Sequence, residues 1–402
     1  MFLKMSRMIG TVSRGLRAPI VRDGDNLAEI VVDCIMQAVE NGDFTVRDRD
    51  IIAMTESIVA RTQNNYVTVD NIAEDVRTKF GGGTVGVILP ILSRNRFSIC
   101  LRGIAKGCKK IYMMLSYPGD EVGNKLVSLD KVDASGVNPY TDVLDIKQYR
   151  ELFGYEKHPF TGMDYVEYYE ELITGCGCEV EFVFANDPRA ILKFTKNVLN
   201  CDIHSRFRTR KLLKEAGAEI VYGMDQIMSA PIGDSGYNDK YGLLGSNKST
   251  EDRVKLFPRD CQPLVEDIQK RLYEKTGKTV EVMIYGDGAF KDPVGHIWEL
   301  ADPCVSPNYT KGLEGTPNEL KLKYLADNDY ADLKGEELQV AIKEKIAAKT
   351  DESLVGNMAS QGTTPRRLTD LIGTLCDLTS GSGDKGTPFV YIQGYFDNYT
   401  DE

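Results

Sequence analysis

A chain of 402 residues with 42% hydrophobic and 27% charged residues has ordinary globular composition and length enough for two domains. Its formal charge of −11, from 49 Lys+Arg against 60 Asp+Glu, argues against a phosphate-tracking nucleic-acid surface. No run approaches the roughly 18 apolar residues that would span a bilayer, Met1–Gly10 has no apolar secretory core, and nine scattered cysteines fit reduced thiols, so a cytoplasmic protein without membrane partners is expected.

The first clear helix is Asn26–Asn41, where Leu27, Ile30, Val31, Cys34, Ile35, Ala38 and Val39 share one face. Asp25 or Asn26 can cap its start and Gly42 its end. A strand at Asp50–Met54 leads into Thr55-Glu56-Ser57, and Gly81-Gly82-Gly83 with Pro90 then break the pattern. Residues 95–228 read as a separate unit. The apolar runs Lys110–Leu115, Val180–Phe184 and Glu219–Tyr222 are expected to be strands, and Ala190–Leu199 and Thr209–Ala216 have helical spacing. That alternation argues for βαβ units and a parallel sheet.

Arg206, Arg208, Arg210, Lys211 and Lys214 crowd nine residues there, which reads first as a solvated helix face and second as an anion patch. Cys176 and Cys178 have no second pair at zinc spacing, and His158, His204 and His296 lie far apart, so no structural zinc is expected. Further on, Asp260 can cap a helix running to Thr276 with Gly277 as its stop. Strand Thr279–Tyr285 follows, with Val280, Val282 and Ile284 alternating. Thr364 and Pro365 open a last helix bearing Leu368, Leu371, Ile372 and Leu375, before a glycine loop and strand Phe389–Gln393.

Two motifs are decoys. Gly277-Lys278-Thr279 ends like a phosphate-binding P-loop, but Leu272 stands where the first glycine belongs. Gly381, Gly383 and Gly386 spell GxGxxG between a helix and a strand, the reverse of a dinucleotide fingerprint. The loop Ser380–Thr387 still offers bare N–H groups, three hydroxyls and Lys385, the makings of an anion nest; its plain alternative is a flexible turn. A second loop, Tyr285-Gly286-Asp287-Gly288-Ala289-Phe290-Lys291-Asp292-Pro293, starts where a strand ends, and strand ends in α/β sheets are where ligands bind. Asp287 between two glycines suits a magnesium ion, which takes one or two carboxylates and completes its shell with water and phosphate. Asp292, Glu299 and Asp302 are close in sequence. A solvated Asp-Gly turn is the plain alternative.

Taken together, these pieces resemble the coenzyme F-420 γ-glutamyl ligase family. The resemblance rests on Ser13-Arg14-Gly15-Leu16 with Gly24-Asp25-Asn26-Leu27-Ala28-Glu29, on Thr55-Glu56-Ser57-Ile58-Val59-Ala60-Arg61, on Gly242 and Gly245-Ser246-Asn247, on Asp287, and on Asp370–Leu378 with the glycine loop and Pro388. It implies an α/β protein: an α+β ligase core at 1–94 and 229–402, interrupted by the 95–228 unit. It further implies a homodimer that joins glutamate to a small-molecule carboxylate with GTP or ATP and Mg2+ or Mn2+. On the same ground Gly15, Leu16, Glu56, Ser57, Arg61, Asn247, Ser380, Gly381, Ser382, Gly383, Lys385 and Gly386 would contact nucleotide and Asp287 would hold metal, with Asp292 and Asp384 added as candidate metal ligands. The chain departs from the family at Arg61, usually lysine, at Leu244, where a metal-binding aspartate is usual, and at Ser382, where a glutamine is usual. Asp239, Asp252, Asp292 or Asp384 are the candidates to compensate. Two rival expectations remain, a nucleotide- or metal-binding protein without ligase activity and a function residing in the 95–228 unit.

Overall fold

The computed structural model describes residues 7–158, 161–287, 302–350, 358–360, 366–380 and 383–400, with the backbone of 290–291 and 298–299. The chain opens with β1 (Val12–Leu16) and α1 (Leu27–Glu40), then β2 (Ile51–Thr55), α2 (Glu56–Thr62) and β3 (Tyr66–Thr68). An excursion follows through α3 (Val69–Phe80), β4 (Thr84–Ile88), α4 (Phe97–Lys106), β5 (Lys110–Leu115), β6 (Leu144–Asp145), β7 (Glu179–Phe184), β8 (Asn197–Asn200), α5 (Arg206–Glu215), β9 (Ile220–Gly223) and β10 (Asn247–Lys248). The chain returns as β11 (Arg253–Lys255), continues through α6 (Gln262–Thr276) into β12 (Glu281–Tyr285) and makes the short pair β13 (Phe290–Lys291) and β14 (Trp298–Glu299). It closes with α7 (Leu368–Thr379) and β15 (Phe389–Gln393).

Local chemistry sets several boundaries. Asn26 caps α1, its side-chain oxygen accepting from the Glu29 N–H at 3.3 Å while its amide donates to the Glu29 carboxylate at 3.1 Å. Gly277 ends α6 in the left-handed region, at φ 66°. Asp260 does not cap that helix: its φ is 50°, and Cys261 takes the cap position without a side-chain bond. Thr364 and Pro365 lie outside the described residues. The stretch expected to be helical at Ala190–Leu199 splits instead into a 3-10 turn, Pro188–Lys193, and strand β8. Parallel pairing of Val198 and Leu199 with both β4 and β9 outweighs the helical spacing there.

The four-stranded sheet runs β1-β15-β2-β12, with β2 and β12 parallel and the other neighbours antiparallel. Ile52, Met54, Val282 and Ile284 meet Val31 and Ile35 of α1 and Val265 and Ile268 of α6 on one face. Ile51, Ala53, Met283 and Tyr285 meet Ile372 and Cys376 of α7 on the other. Both faces are thus covered, so β12 is buried at every position and not only at its alternate ones.

The excursion forms a six-stranded sheet in the order β6-β7-β5-β4-β8-β9, parallel except at β6, as the βαβ pattern predicts. The molecule is of the α/β class. The division expected at 94/95 falls after β4, a central strand of this sheet. At the far side, β3 pairs with β11 in a small antiparallel sheet, Tyr66 opposite Lys255 and Thr68 opposite Arg253, and the Val69 N–H donates to the Asp252 carbonyl at 3.0 Å. The strand order reverses direction between β4 and β8, and a cleft of about 360 Å³ opens at those strand ends, lined in part by Ser116, Lys125, Asp202 and Arg208. The basic cluster is mostly absorbed by local pairs: Arg210 bonds Asp225 at 2.8 Å and Gln226 at 2.7 Å.

Tight helix contact gives a stability test. A Cβ on Gly103 of α4 would stand 2.6 Å from the Ile72 side chain of α3 and 3.0 Å from the Val69 carbonyl. Gly103→Ala is expected to lower stability by about 1–3 kcal/mol. Gly10→Ala, which enters open space, should stay within about 0.5 kcal/mol. Equal urea midpoints for the two variants would contradict this packing.

Candidate functional site

Strand register brings the predicted loops to one edge of the four-stranded sheet. Leu16 lies opposite Phe389, Phe389 opposite Met54, and Tyr285 opposite Thr55. The segments that continue past these residues therefore emerge side by side. They are the turn after Gly15–Leu16, the Glu56–Ser57 start of α2, the Gly286–Asp287 loop, and the glycine loop that precedes β15. Backbone bonds fix the last of these: the Ala18 N–H donates to the Gly386 carbonyl at 3.1 Å, and the Thr55 N–H to the Pro388 carbonyl at 3.2 Å. Gly15 runs under Thr387, where a Cβ would lie 3.0 Å from the Thr387 Cβ. Gly383, Asp384, Lys385 and Gly386 are exposed. Leu16 is a core residue, so only its backbone faces this edge.

A charged cluster sits beneath the loops. Asp302, 1% exposed, is its anchor. One Asp302 oxygen accepts from Arg96 Nη1 at 2.7 Å, and the other accepts from the Asp287 N–H at 2.7 Å. Arg96 Nη2 also donates to the Asp287 carboxylate. Gly286 makes this approach feasible, because a Cβ there would lie 2.4 Å from Asp302 Oδ2. Desolvation, then the negative charge of Asp302, pushes the Asp287 carboxyl up to about 6, against the pull of Arg96.

Glu56 is buried beside them. Lys255 Nζ donates to its Oε1 at 2.7 Å, while its Oε2 has no hydrogen-bond partner. Burial raises this carboxyl to about 7, opposed by Lys255 and reinforced by Asp302. The buried Tyr285 hydroxyl lies beside Ser380 at the start of the glycine loop. Asn247 of β10 lies opposite Lys255 in the strand register.

Other predicted residues stand apart. Arg61 is exposed at the last turn of α2 and forms no ion pair with the described residues. Asp239 and Asp252 are exposed, and Asp252 pairs with Arg102 at 3.2 Å. Leu244 is buried and lines a narrow apolar slot with Cys100, Met224 and Leu243 beside Arg96. Gly381, Ser382 and Asp292 lie outside the described residues. Arg96 and Lys255 were not foreseen. Arg96 belongs to an irregular turn whose position relative to Asp287 depends on closure between segments 191 residues apart. Lys255 carries no local signal beyond its strand. For Asp302 the only hint was its nearness in sequence to Asp287.

Among the described residues no three His, Cys, Asp or Glu side chains are disposed to share one metal ion. The donors here suit a cation that arrives with phosphate, since magnesium commonly takes one or two carboxylates and fills its octahedron with water and phosphate oxygens. The unpartnered Glu56 oxygen and the half-exposed Asp287 carboxylate are such donors.

The profile of the family described as F420-0:Gamma-glutamyl ligase matches residues 15–394. A search of curated proteins found no match.

The buried Glu56 carboxyl makes stability depend on pH. Its folded value is raised, so the protonated form is favoured by folding; that contribution is full below about pH 4.5 and is lost as pH rises through about 7. Glu56→Gln, a mimic of the protonated form, should therefore gain stability relative to the wild type between about pH 5 and about pH 8. Urea unfolding at a series of pH values reads this. A difference that stays flat would remove burial as the dominant influence on Glu56.

Proposed function

The chain belongs to the F420-0:Gamma-glutamyl ligase family, and on that premise we propose that it is a nucleotide- and metal-dependent amide ligase acting on a small-molecule carboxylate. The observation that carries the reading is the convergence, on one sheet edge, of a glycine loop, two acidic strand ends and an unpartnered buried carboxylate oxygen. The exposed residues 383–386, Lys385 among them, suit the phosphates of GTP or ATP. Asp287 and Glu56 would hold a divalent ion, Mg2+ or Mn2+, which when bound supplies positive charge to the phosphates.

In the proposed reaction an oxygen of the acceptor carboxylate attacks the γ-phosphorus, and the bond to the bridging oxygen breaks to release nucleoside diphosphate. The amino nitrogen of glutamate then attacks the acyl carbon of the resulting acyl phosphate, loses a proton and expels inorganic phosphate. Lys385 would offset charge on the transferring phosphoryl group, since such catalysis is mainly positioning and electrostatics. Arg96 and Lys255 oppose the burial that raises both carboxyls, and so favour their ionised, metal-binding forms. A homodimer in the cytoplasm completes the proposal.

The second reading is a nucleotide-binding protein without ligase activity. Leu244 favours it, because an apolar side chain in a buried slot offers no oxygen where the family has a metal-binding aspartate.

Incubation with nucleotide, Mg2+, glutamate and a panel of carboxylic acids, followed by mass spectrometry, separates the two. Gain of a glutamyl unit with release of nucleoside diphosphate is expected, and nucleotide binding with no product from any acid would sink the ligase. Asp287→Asn should cut turnover by about 10²–10³ while the circular dichroism spectrum stays native. Wild-type rates in that variant would remove Asp287 from the site.

A further inference from the structure

The acidic cluster already holds a cation of its own. Arg96 is carried by the turn before α4, where its N–H donates to Ser93 Oγ at 2.9 Å. Its guanidinium is spread between two carboxylates: Nη1 on buried Asp302 at 2.7 Å, and Nη2 on Asp287. The two contacts differ in kind. Asp302 is 1% exposed, and its second oxygen is occupied by the Asp287 N–H, so the Asp302 contact is enclosed. The Asp287 side chain is 45% exposed, so the other contact is open to competition from solvent.

Charge within the cluster is unbalanced. Among the described residues, Lys255 and Arg96 are the cations that act on Glu56 and Asp287, while Asp302 acts against them on both and Asp377 on Asp287. Glu56 points to the same deficit, because one oxygen of this buried side chain has no partner. A guanidinium delivers one charge through directed N–H groups. A divalent ion on Asp287 would bring two, and would be free to reach oxygens that the planar fork does not.

We propose that Arg96 is an internal counter-ion that competes with a divalent metal for Asp287, staying anchored on Asp302 while it yields the Asp287 carboxylate to the metal. This rests on the metal-dependent reading given above. The exchange gives Asp287 a cationic partner before metal arrives and ties metal loading to the excursion from which Arg96 projects. Neither consequence follows from the ligase chemistry itself.

The test is Mn2+ binding to the full chain without nucleotide, followed by electron paramagnetic resonance of the free ion. In Arg96→Gln the competitor is gone, and Mn2+ should bind roughly tenfold more tightly or better than in the wild type. Arg96→Lys keeps a charge but cannot span both carboxylates, and should fall between the two; it also carries the test if Arg96→Gln fails to give a native circular dichroism spectrum. A merely structural role for Arg96 would loosen the site and weaken Mn2+ binding. Unchanged or weaker binding in a folded Arg96 variant, with wild-type binding that Asp287→Asn abolishes, overturns the competition and leaves the metal-dependent reading standing. Absence of Mn2+ binding in the wild type and in every variant overturns both.

Discussion

Register within the four-stranded sheet is the constraint on which the candidate site depends. A strand shifted by one residue would turn every side chain to the opposite face, and here both faces are filled, by α1 and α6 on one side and α7 on the other. The alignment of Leu16, Phe389, Thr55 and Tyr285 is therefore fixed by core packing far more than by the loops themselves. Segments from distant parts of the chain meet at that edge because their strands pair in this register.

The charged cluster beneath the edge is a different kind of device. Buried ion pairs seldom add stability, because removing charges from water offsets most of their attraction. Glu56 with Lys255, and Asp302 with Arg96, accordingly read as groups retained for what they hold in place. Asp302 orients Asp287 through its backbone N–H and Arg96 through its guanidinium, so one carboxylate positions a second acid and a cation in the site. The absence of a Cβ at Gly286 is the local condition that permits it.

Much of this was legible in the residues. The Asn26 cap, the Gly277 stop and the apolar stripes of α1, α6 and α7 report local interactions, and periodicity records those directly. The glycine loop and Asp287 were recognisable because short chemical signatures lie at strand ends. Arg96 was not, since nothing in Ser93-Arg94-Asn95-Arg96 states that the turn abuts Asp302, about two hundred residues away. The strand at 197–200 was misread because four residues between two parallel partners leave too little pattern to outvote a helical spacing. Leu16 belonged to a motif yet serves the core, a reminder that a motif marks a stretch of backbone and not each side chain in it.

The pairing of β3 with β11 has one more consequence. Thr68 and Arg253 lie directly opposite each other in antiparallel strands, so the path from 69 to 252 leaves and rejoins the protein at a single point. A short hairpin turn would bridge that gap and delete the whole six-stranded sheet without breaking a strand of the other. The excursion is thus a detachable module in the topological sense. The shortened protein would keep Asp287, Glu56 and Lys255 but lose Arg96, so the same splice that simplified the fold would also remove one positive charge from the site's balance.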